Sequence, residues 1–167
     1  QFNLDYDPVK NVIVTVGGSE AIDITLRAIV NPGDEVILLQ PCYVAYEPSV
    51  ILADGVPVFI ELKEENQFKL TAQQLEAAIT DKTKAILLNF PSNPTGGVMT
   101  REDYAPLIPI IKKHNLIVIS DEIYAELSYS EKHCSPANFD EIKDLTIIIS
   151  GFSKAFAMTG WRLSYML

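Results

Sequence analysis

The chain has 167 residues, 48% of them hydrophobic, with 22 acidic and 13 basic residues for a formal net charge of −9. A chain of this length forms one domain of ordinary size, which buries ~70% of the surface that the unfolded chain exposes. The negative charge repels nucleic acid and anionic membranes, no basic patch offsets it, and no run reaches the ~18 apolar residues of a membrane span, so we expect neither partner.

Seven short runs of apolar and β-branched residues alternate with four segments of helical composition. Such runs are typical of strands that are buried on both faces of a sheet. The predicted strands are Asn11–Val16, Val36–Leu39, Pro57–Ile60, Lys84–Leu88, Leu116–Ser120, Leu145–Ile149 and Arg162–Leu167. The predicted helices are Ser19–Val30, Val44–Ala53, Ala72–Ile79 and Arg101–His114. The alternation predicts a three-layer α/β/α fold around a mainly parallel seven-stranded sheet.

Local signals mark several boundaries of these elements. Thr71 is placed to cap the third helix, and Thr100 with Asp103 resembles a capping box for the fourth. Pro109 falls well inside the fourth predicted helix, where a proline kinks or breaks the helix. The connection before the last strand, residues 150–161, is too short for a helical crossover of a dozen or more residues, so we expect the last strand to run antiparallel.

A glycine pair, Gly17-Gly18, precedes Ser19 where the first predicted strand turns into the first helix. Glycines allow close backbone approach, and the amides at a helix N-terminus favour an anion, so the segment is typical of a phosphate cradle. The structural alternative is a tight turn with Ser19 as an ordinary N-cap. The spacing matches neither the GxGxxG of a dinucleotide site nor the GxxxxGK[ST] of a P-loop.

Polar residues follow two other predicted strands at the carboxyl edge, where open α/β sheets bind ligands. Asn93 lies in the turn Pro91–Gly96, and Asp121 and Tyr124 follow the strand that ends at Ser120. Taken singly, these positions also suit an ordinary turn and a cap.

Lys154 and Arg162 lie eight positions apart after the sixth predicted strand. An amine beside a guanidinium suits a Schiff base next to a phosphate anchor, which is the chemistry of pyridoxal 5'-phosphate. Most lysines are instead solvated surface charges.

The order and spacing of Asn93, Asp121, Tyr124, Lys154 and Arg162 resemble the cofactor-binding large domain of the class I/II aminotransferases, which are fold type I pyridoxal-phosphate enzymes. The resemblance covers essentially the whole chain. It implies that residues 1–167 are the large domain, and that an N-terminal segment and a C-terminal small domain lie outside it. We therefore expect the isolated chain to be inactive.

The resemblance implies a role for each catalytic residue. Lys154 would form the Schiff base with pyridoxal 5'-phosphate and move the proton between the substrate and the cofactor. Asp121 would pair with the pyridinium nitrogen and keep it protonated, which strengthens the electron sink. Asn93 and the Tyr124 hydroxyl would donate hydrogen bonds to the phenolate oxygen of the cofactor.

The remaining cofactor-binding positions are also carried over from the family. Tyr43 would stack on the pyridine ring. Gly18, Ser19 and Arg162 would hold the phosphate, for which a guanidinium is suited by its two parallel donors. The chain departs from many relatives at Gly151, where they have a serine whose hydroxyl contacts the phosphate. No pattern in the sequence shows what replaces that contact.

The implied activity is an aminotransferase that moves an amino group from an amino acid to a 2-oxo acid by a ping-pong route. Two alternatives stay open: a carbon–sulfur β-lyase on the same scaffold, and an aminotransferase-like sensor domain of a transcription regulator. The family also implies a homodimer. Cys42 and Cys134 have neither CxxC spacing nor the density of a disulfide scaffold, which favours the cytoplasm. His114 and His133 have no partners at metal-ligand spacing, so we predict no metal site.

Overall fold

The computed structural model describes residues 4–129 and 132–167, and within them it has seven strands and five α-helices. The strands are β1 (Ile13–Val16), β2 (Glu35–Gln40), β3 (Val56–Glu61), β4 (Thr83–Asn89), β5 (Ile117–Asp121), β6 (Thr146–Gly151) and β7 (Leu163–Met166). The helices are α1 (Gly18–Ile29), α2 (Tyr46–Leu52), α3 (Ala72–Ala78), α4 (Arg101–Tyr104) and α5 (Ile108–Lys113). Across this part of the chain, none of the helices has the length and apolar character needed to cross a membrane.

All seven strands form one sheet in the order β1-β7-β6-β5-β4-β2-β3. The pairs among β2, β3, β4, β5 and β6 are parallel. Strand β7 runs antiparallel to both of its neighbours, β1 and β6. The structure therefore confirms the seven-stranded, mainly parallel sheet and the antiparallel last strand.

The helices cover both faces of the sheet, as the continuous apolar strands require. Successive side chains of β4 enter opposite clusters: Ile86 and Leu88 pack with α3, α4 and α5, whereas Ala85 and Leu87 pack with α1 and α2. Side chains alternate between the faces of a strand, so a strand that is apolar at every position needs a helical layer on each side. These two clusters form the core of the predicted three-layer fold.

The predicted helix Arg101–His114 is wrong as a single element, because α4 ends at Tyr104 and α5 begins at Ile108. Pro109 occupies the first turn of α5. Backbone N–H groups in the first turn of a helix have no acceptor within the helix, so a proline is tolerated there and the chain starts a new helix. The predicted caps are confirmed: Thr71 and Thr100 each form a capping box, with Gln74 and Asp103 respectively.

The topology brings one end of all seven strands to the same edge of the sheet. The parallel strands β2, β3, β4, β5 and β6 end there, β1 ends there, and the antiparallel β7 begins there. The loops that carry the predicted site residues all leave the sheet at this edge.

Candidate active site

A cavity of about 250 Å³ opens at this edge of the sheet. All eight residues that the sequence predicted for the site line it: Gly18, Ser19, Tyr43, Asn93, Asp121, Tyr124, Lys154 and Arg162. They lie at the ends of β1, β2, β4, β5 and β6 and at the start of β7, so the fold brings together positions up to 144 residues apart in the chain, from Gly18 to Arg162.

The anion-binding end of the cavity is formed by the first turn of α1. Gly17 is the N-cap, with φ of 81°, and no side chain caps this helix in the described part of the chain. The alternative that Ser19 is the N-cap is therefore wrong, because Ser19 lies inside the first turn. The uncapped amides leave partial positive charge at this end of the cavity.

Arg162 reaches the same place from the other side. A Cβ atom built on Gly17 would lie 2.0 Å from Nη2 of Arg162, so the guanidinium packs directly against the Gly17 α-carbon. Its Nη1 donates to the Thr159 carbonyl at 3.1 Å. Glycine is needed at position 17 both for its positive φ and for this close approach.

Asp121 is buried at the end of β5, with 6% of its surface exposed. The Tyr46 hydroxyl donates to its Oδ2 at 2.7 Å, and the Ile123 N–H donates to its Oδ1 at 3.2 Å. Burial raises the pKa of Asp121 to about 6, because desolvation disfavours the charged form more than these hydrogen bonds and Lys154 favour it. A buried carboxyl group that lines a cavity and has a raised pKa is a candidate for a catalytic or ligand-binding residue.

Two residues that were not predicted from the sequence hold Asp121 in place. Tyr46 is 2% exposed and packs edge-on against Tyr43, with ring centroids 5.5 Å apart. Asn89 donates from Nδ2 to the Asp121 carbonyl at 2.9 Å and accepts from the Asn93 N–H at 2.9 Å. Both contacts join segments that are distant in the chain, so no local pattern indicated Tyr46 or Asn89.

Lys154 follows β6 in a short irregular loop and has an exposed side chain beside the cavity. Its Nζ lies 5.7 Å from the centroid of the Tyr124 ring. The Thr159 hydroxyl donates to the Ser153 carbonyl at 2.9 Å, which ties the two halves of the loop together. Ser153 and Thr159 also line the cavity and were not predicted.

A second buried carboxyl group lies next to the first. The Glu122 side chain is fully buried, and its Oε1 accepts hydrogen bonds from Ser120 at 2.8 Å and from Ser135 at 2.7 Å. Its Oε2 pairs with Nε2 of His133. The structure thus places His133 in a hydrogen-bond network with Glu122. No group of three or more possible metal-ligating side chains occurs among residues 4–129 and 132–167.

The family model for aminotransferase class I and II matches residues 1–167. The chain belongs to this family. Its similarity to curated proteins is also extensive: it is 54% identical over 165 residues to a Bacillus subtilis protein, YugH, that is provisionally named an aminotransferase. It is 44% identical over 167 residues to an aspartate aminotransferase of Pyrococcus abyssi. Each alignment covers 99% of this chain and 43% of the relative.

The fold agrees with solved structures of the same family. The crystal structure of an aromatic aminotransferase from Pyrococcus horikoshii superposes with a TM-score of 0.96 at 41% sequence identity, over 99% of this chain and 45% of that one. The chain thus spans less than half the length of the relatives that it matches.

We expect Asp121→Asn to stabilise the cofactor-free protein at neutral pH. The pKa of an ordinary aspartate is 3.8, whereas the pKa of Asp121 in the folded protein is about 6. Between these pH values the folded state binds more protons than the unfolded state, so the stability of the wild-type protein falls as pH rises. At 1.36 kcal/mol per pKa unit, the variant should gain about 3 kcal/mol at pH 7.5 and almost nothing near pH 4. Urea denaturation across this range measures the difference, with the exposed Asp140→Asn as the control. A difference that does not vary with pH would contradict the assignment.

We expect Tyr46→Phe to raise the upper limit of the same pH interval. The Tyr46 hydroxyl stabilises the ionised form of Asp121, so its loss raises the pKa of that carboxyl group above about 6. The pH at which stability stops falling should rise accordingly in denaturation curves of the cofactor-free protein. Tyr129→Phe, at a tyrosine that is 95% exposed, is the matched control and should leave the interval in place. An unchanged interval in Tyr46→Phe would show that the hydrogen bond does not set this pKa.

Proposed function

We propose that the protein is a pyridoxal-phosphate-dependent aminotransferase that moves an amino group from an amino acid to a 2-oxo acid by a ping-pong mechanism. The observation that carries the proposal is the charge arrangement of one cavity. A buried carboxyl group, Asp121, lies at the end of β5, and an uncapped helix N-terminus with Arg162 lies beside β1 and β7, on the far side of β6. Membership of the class I and II family supports the same activity.

The lining residues fit each part of pyridoxal 5'-phosphate. The amides of Gly18 and Ser19 and the guanidinium of Arg162 suit the phosphate. The Asp121 carboxylate suits a protonated ring nitrogen, and the Tyr43 ring, 37% exposed, offers an aromatic face for stacking. When bound, this cofactor supplies an electron sink for the carbanion that forms at the substrate α-carbon.

The residues of the chain would divide the remaining tasks. Asp121 would accept a hydrogen bond from the ring N–H, and a cation there would lower the pKa that burial raises, so the carboxyl group stays ionised at neutral pH. Asn93 and the Tyr124 hydroxyl would donate to the phenolate oxygen. The Lys154 amine would hold the cofactor covalently at its aldehyde carbon until the substrate amine displaces it there, and the freed Lys154 amine would then accept and return the proton of the substrate α-carbon.

We further propose that residues 1–167 are the cofactor-binding large domain of the intact enzyme. The chain aligns with less than half the length of its relatives. These relatives include aspartate and aromatic-amino-acid aminotransferases, which supports an amino acid as the substrate class. The groups that grip the substrate carboxylate would then lie in other parts of the protein.

We also propose a cytoplasmic homodimer. Apolar side chains in the segment that follows Tyr43 are open to solvent, with Val44 83% and Leu52 64% exposed, which supports an interface on this segment. Both cysteines are free thiols, in keeping with a reducing compartment.

We expect the intact protein, mixed with pyridoxal 5'-phosphate and reduced with borohydride, to carry a phosphopyridoxyl group on Lys154. Peptide mass spectrometry locates the adduct. Lys154→Ala should lose it, whereas Lys112→Ala, at an exposed lysine of α5, should keep it. Adducts scattered over surface lysines, with none on Lys154, would overturn the proposed function.

The requirement for an acceptor separates a transaminase from a lyase. We expect the intact protein to convert one equivalent of amino acid per site and then stop, and to resume only when a 2-oxo acid is added. Release of ammonia and product can be followed over time without an acceptor. Continuous formation of pyruvate and ammonia from cystathionine under those conditions would favour the β-lyase instead.

A further inference from the structure

The space next to Gly151 is filled by a hydroxyl group from the neighbouring strand. Gly151 ends β6 and pairs with Ser164 of β7. A Cβ atom built on Gly151 would lie 2.2 Å from Oγ and 2.7 Å from Cβ of Ser164. The chain can therefore have a side chain at position 151 or the Ser164 hydroxyl in this space, but not both.

The Ser164 hydroxyl is buried without a partner. Ser164 has 0% of its surface exposed, and its Oγ makes no hydrogen bond with any residue in the described ranges 4–129 and 132–167. Most buried hydroxyl groups are hydrogen-bonded, and a polar group that is removed from water without a partner destabilises the fold. An unpartnered hydroxyl in a functional region therefore points to an acceptor that binds there.

The strand register places this hydroxyl near the anion-binding end of the cavity. Ser164 pairs with Thr15 of β1 and with Gly151 of β6. Met166 and Ile149, two residues further along their strands on the same face, pack against the cluster that includes α1. Ser164 thus faces α1, one residue pair from the edge at which Arg162 packs against Gly17.

We propose that the Ser164 hydroxyl donates a hydrogen bond to the phosphate group of the cofactor. It would replace the contact that many class I/II aminotransferases make with a serine at the position of Gly151. Ser164 is fully buried and is not among the cavity-lining residues, so the contact requires side chains between the hydroxyl and the cavity to move when the phosphate binds. This inference rests on the proposed function and adds a phosphate ligand from a strand that the sequence did not indicate.

The test compares ligands with and without the phosphate. In the intact protein, Ser164→Ala should weaken the affinity for pyridoxal 5'-phosphate about 10-fold, as expected for a lost hydrogen bond to a charged group, and leave the affinity for pyridoxal unchanged. Absorbance or fluorescence titration measures both. Thr146→Val is the matched control, because its buried hydroxyl bonds the Ile142 carbonyl at the opposite end of β6.

A reciprocal exchange provides a second variant with a different prediction. Gly151→Ser alone should weaken the binding of pyridoxal 5'-phosphate, because its Cβ collides with Ser164. The double variant Gly151→Ser with Ser164→Gly returns one hydroxyl to the same space and should restore the wild-type preference for the phosphorylated ligand.

The outcomes distinguish this inference from the proposed function. If wild-type protein binds pyridoxal 5'-phosphate no better than pyridoxal, the phosphate site itself is refuted. If wild-type protein prefers the phosphorylated ligand and Ser164→Ala keeps that preference, only the role of Ser164 is overturned. An equal loss for both ligands would also overturn it, because Ser164 would then act on the fold alone.

Discussion

The burial of the Asp121 carboxyl group is the constraint to which the rest of the site is fitted. Desolvation raises its pKa to about 6, and the groups that oppose this effect come from three separate places in the chain: the Tyr46 hydroxyl, the Ile123 amide and the charge of Lys154. Each group favours the ionised form, yet together they do not offset burial. The ligand-free fold therefore holds a destabilised anion at neutral pH, which is a typical exchange of stability for function.

Contacts on both faces of the sheet hold the backbone around Asp121 in place. Asp121 lies on the face of α2, where Tyr46 packs, whereas Glu122 follows it in the chain and bonds Ser120 and Ser135. Two adjacent carboxyl groups thus enter separate polar environments, and the charge of Glu122 is a further cause of the raised pKa of Asp121. The Glu122 network anchors the segment around Ser135 to the end of β5, so the backbone that presents Asp121 has little freedom to move.

The sequence predicted most of the fold because its signals are local and repeated. Strands that are apolar at every position require two covering layers, and the short connection before β7 excludes a parallel crossover. Pro109 was a visible conflict with a single helix, and the structure resolves it by starting α5 there. Contacts between distant segments were harder to predict. Nothing local to Tyr46 or Asn89 indicates Asp121, and the pairing of Gly151 with Ser164 depends on the register of two strands.

The polarity of the cavity also determines how a ligand can lie in it. The protein carries a net charge of −9, yet the cavity has two cationic side chains, Lys154 and Arg162, and the positive end of α1. Anionic ligands are therefore drawn to one end and repelled from the other, where Asp121 lies. A ligand with an anionic group and a basic nitrogen at opposite ends has only one favourable orientation, and in that orientation it presents its middle to Lys154. Lys154 follows β6, which lies between β5 and the pair β1 and β7, so the order of charges along the cavity follows from the order of the strands.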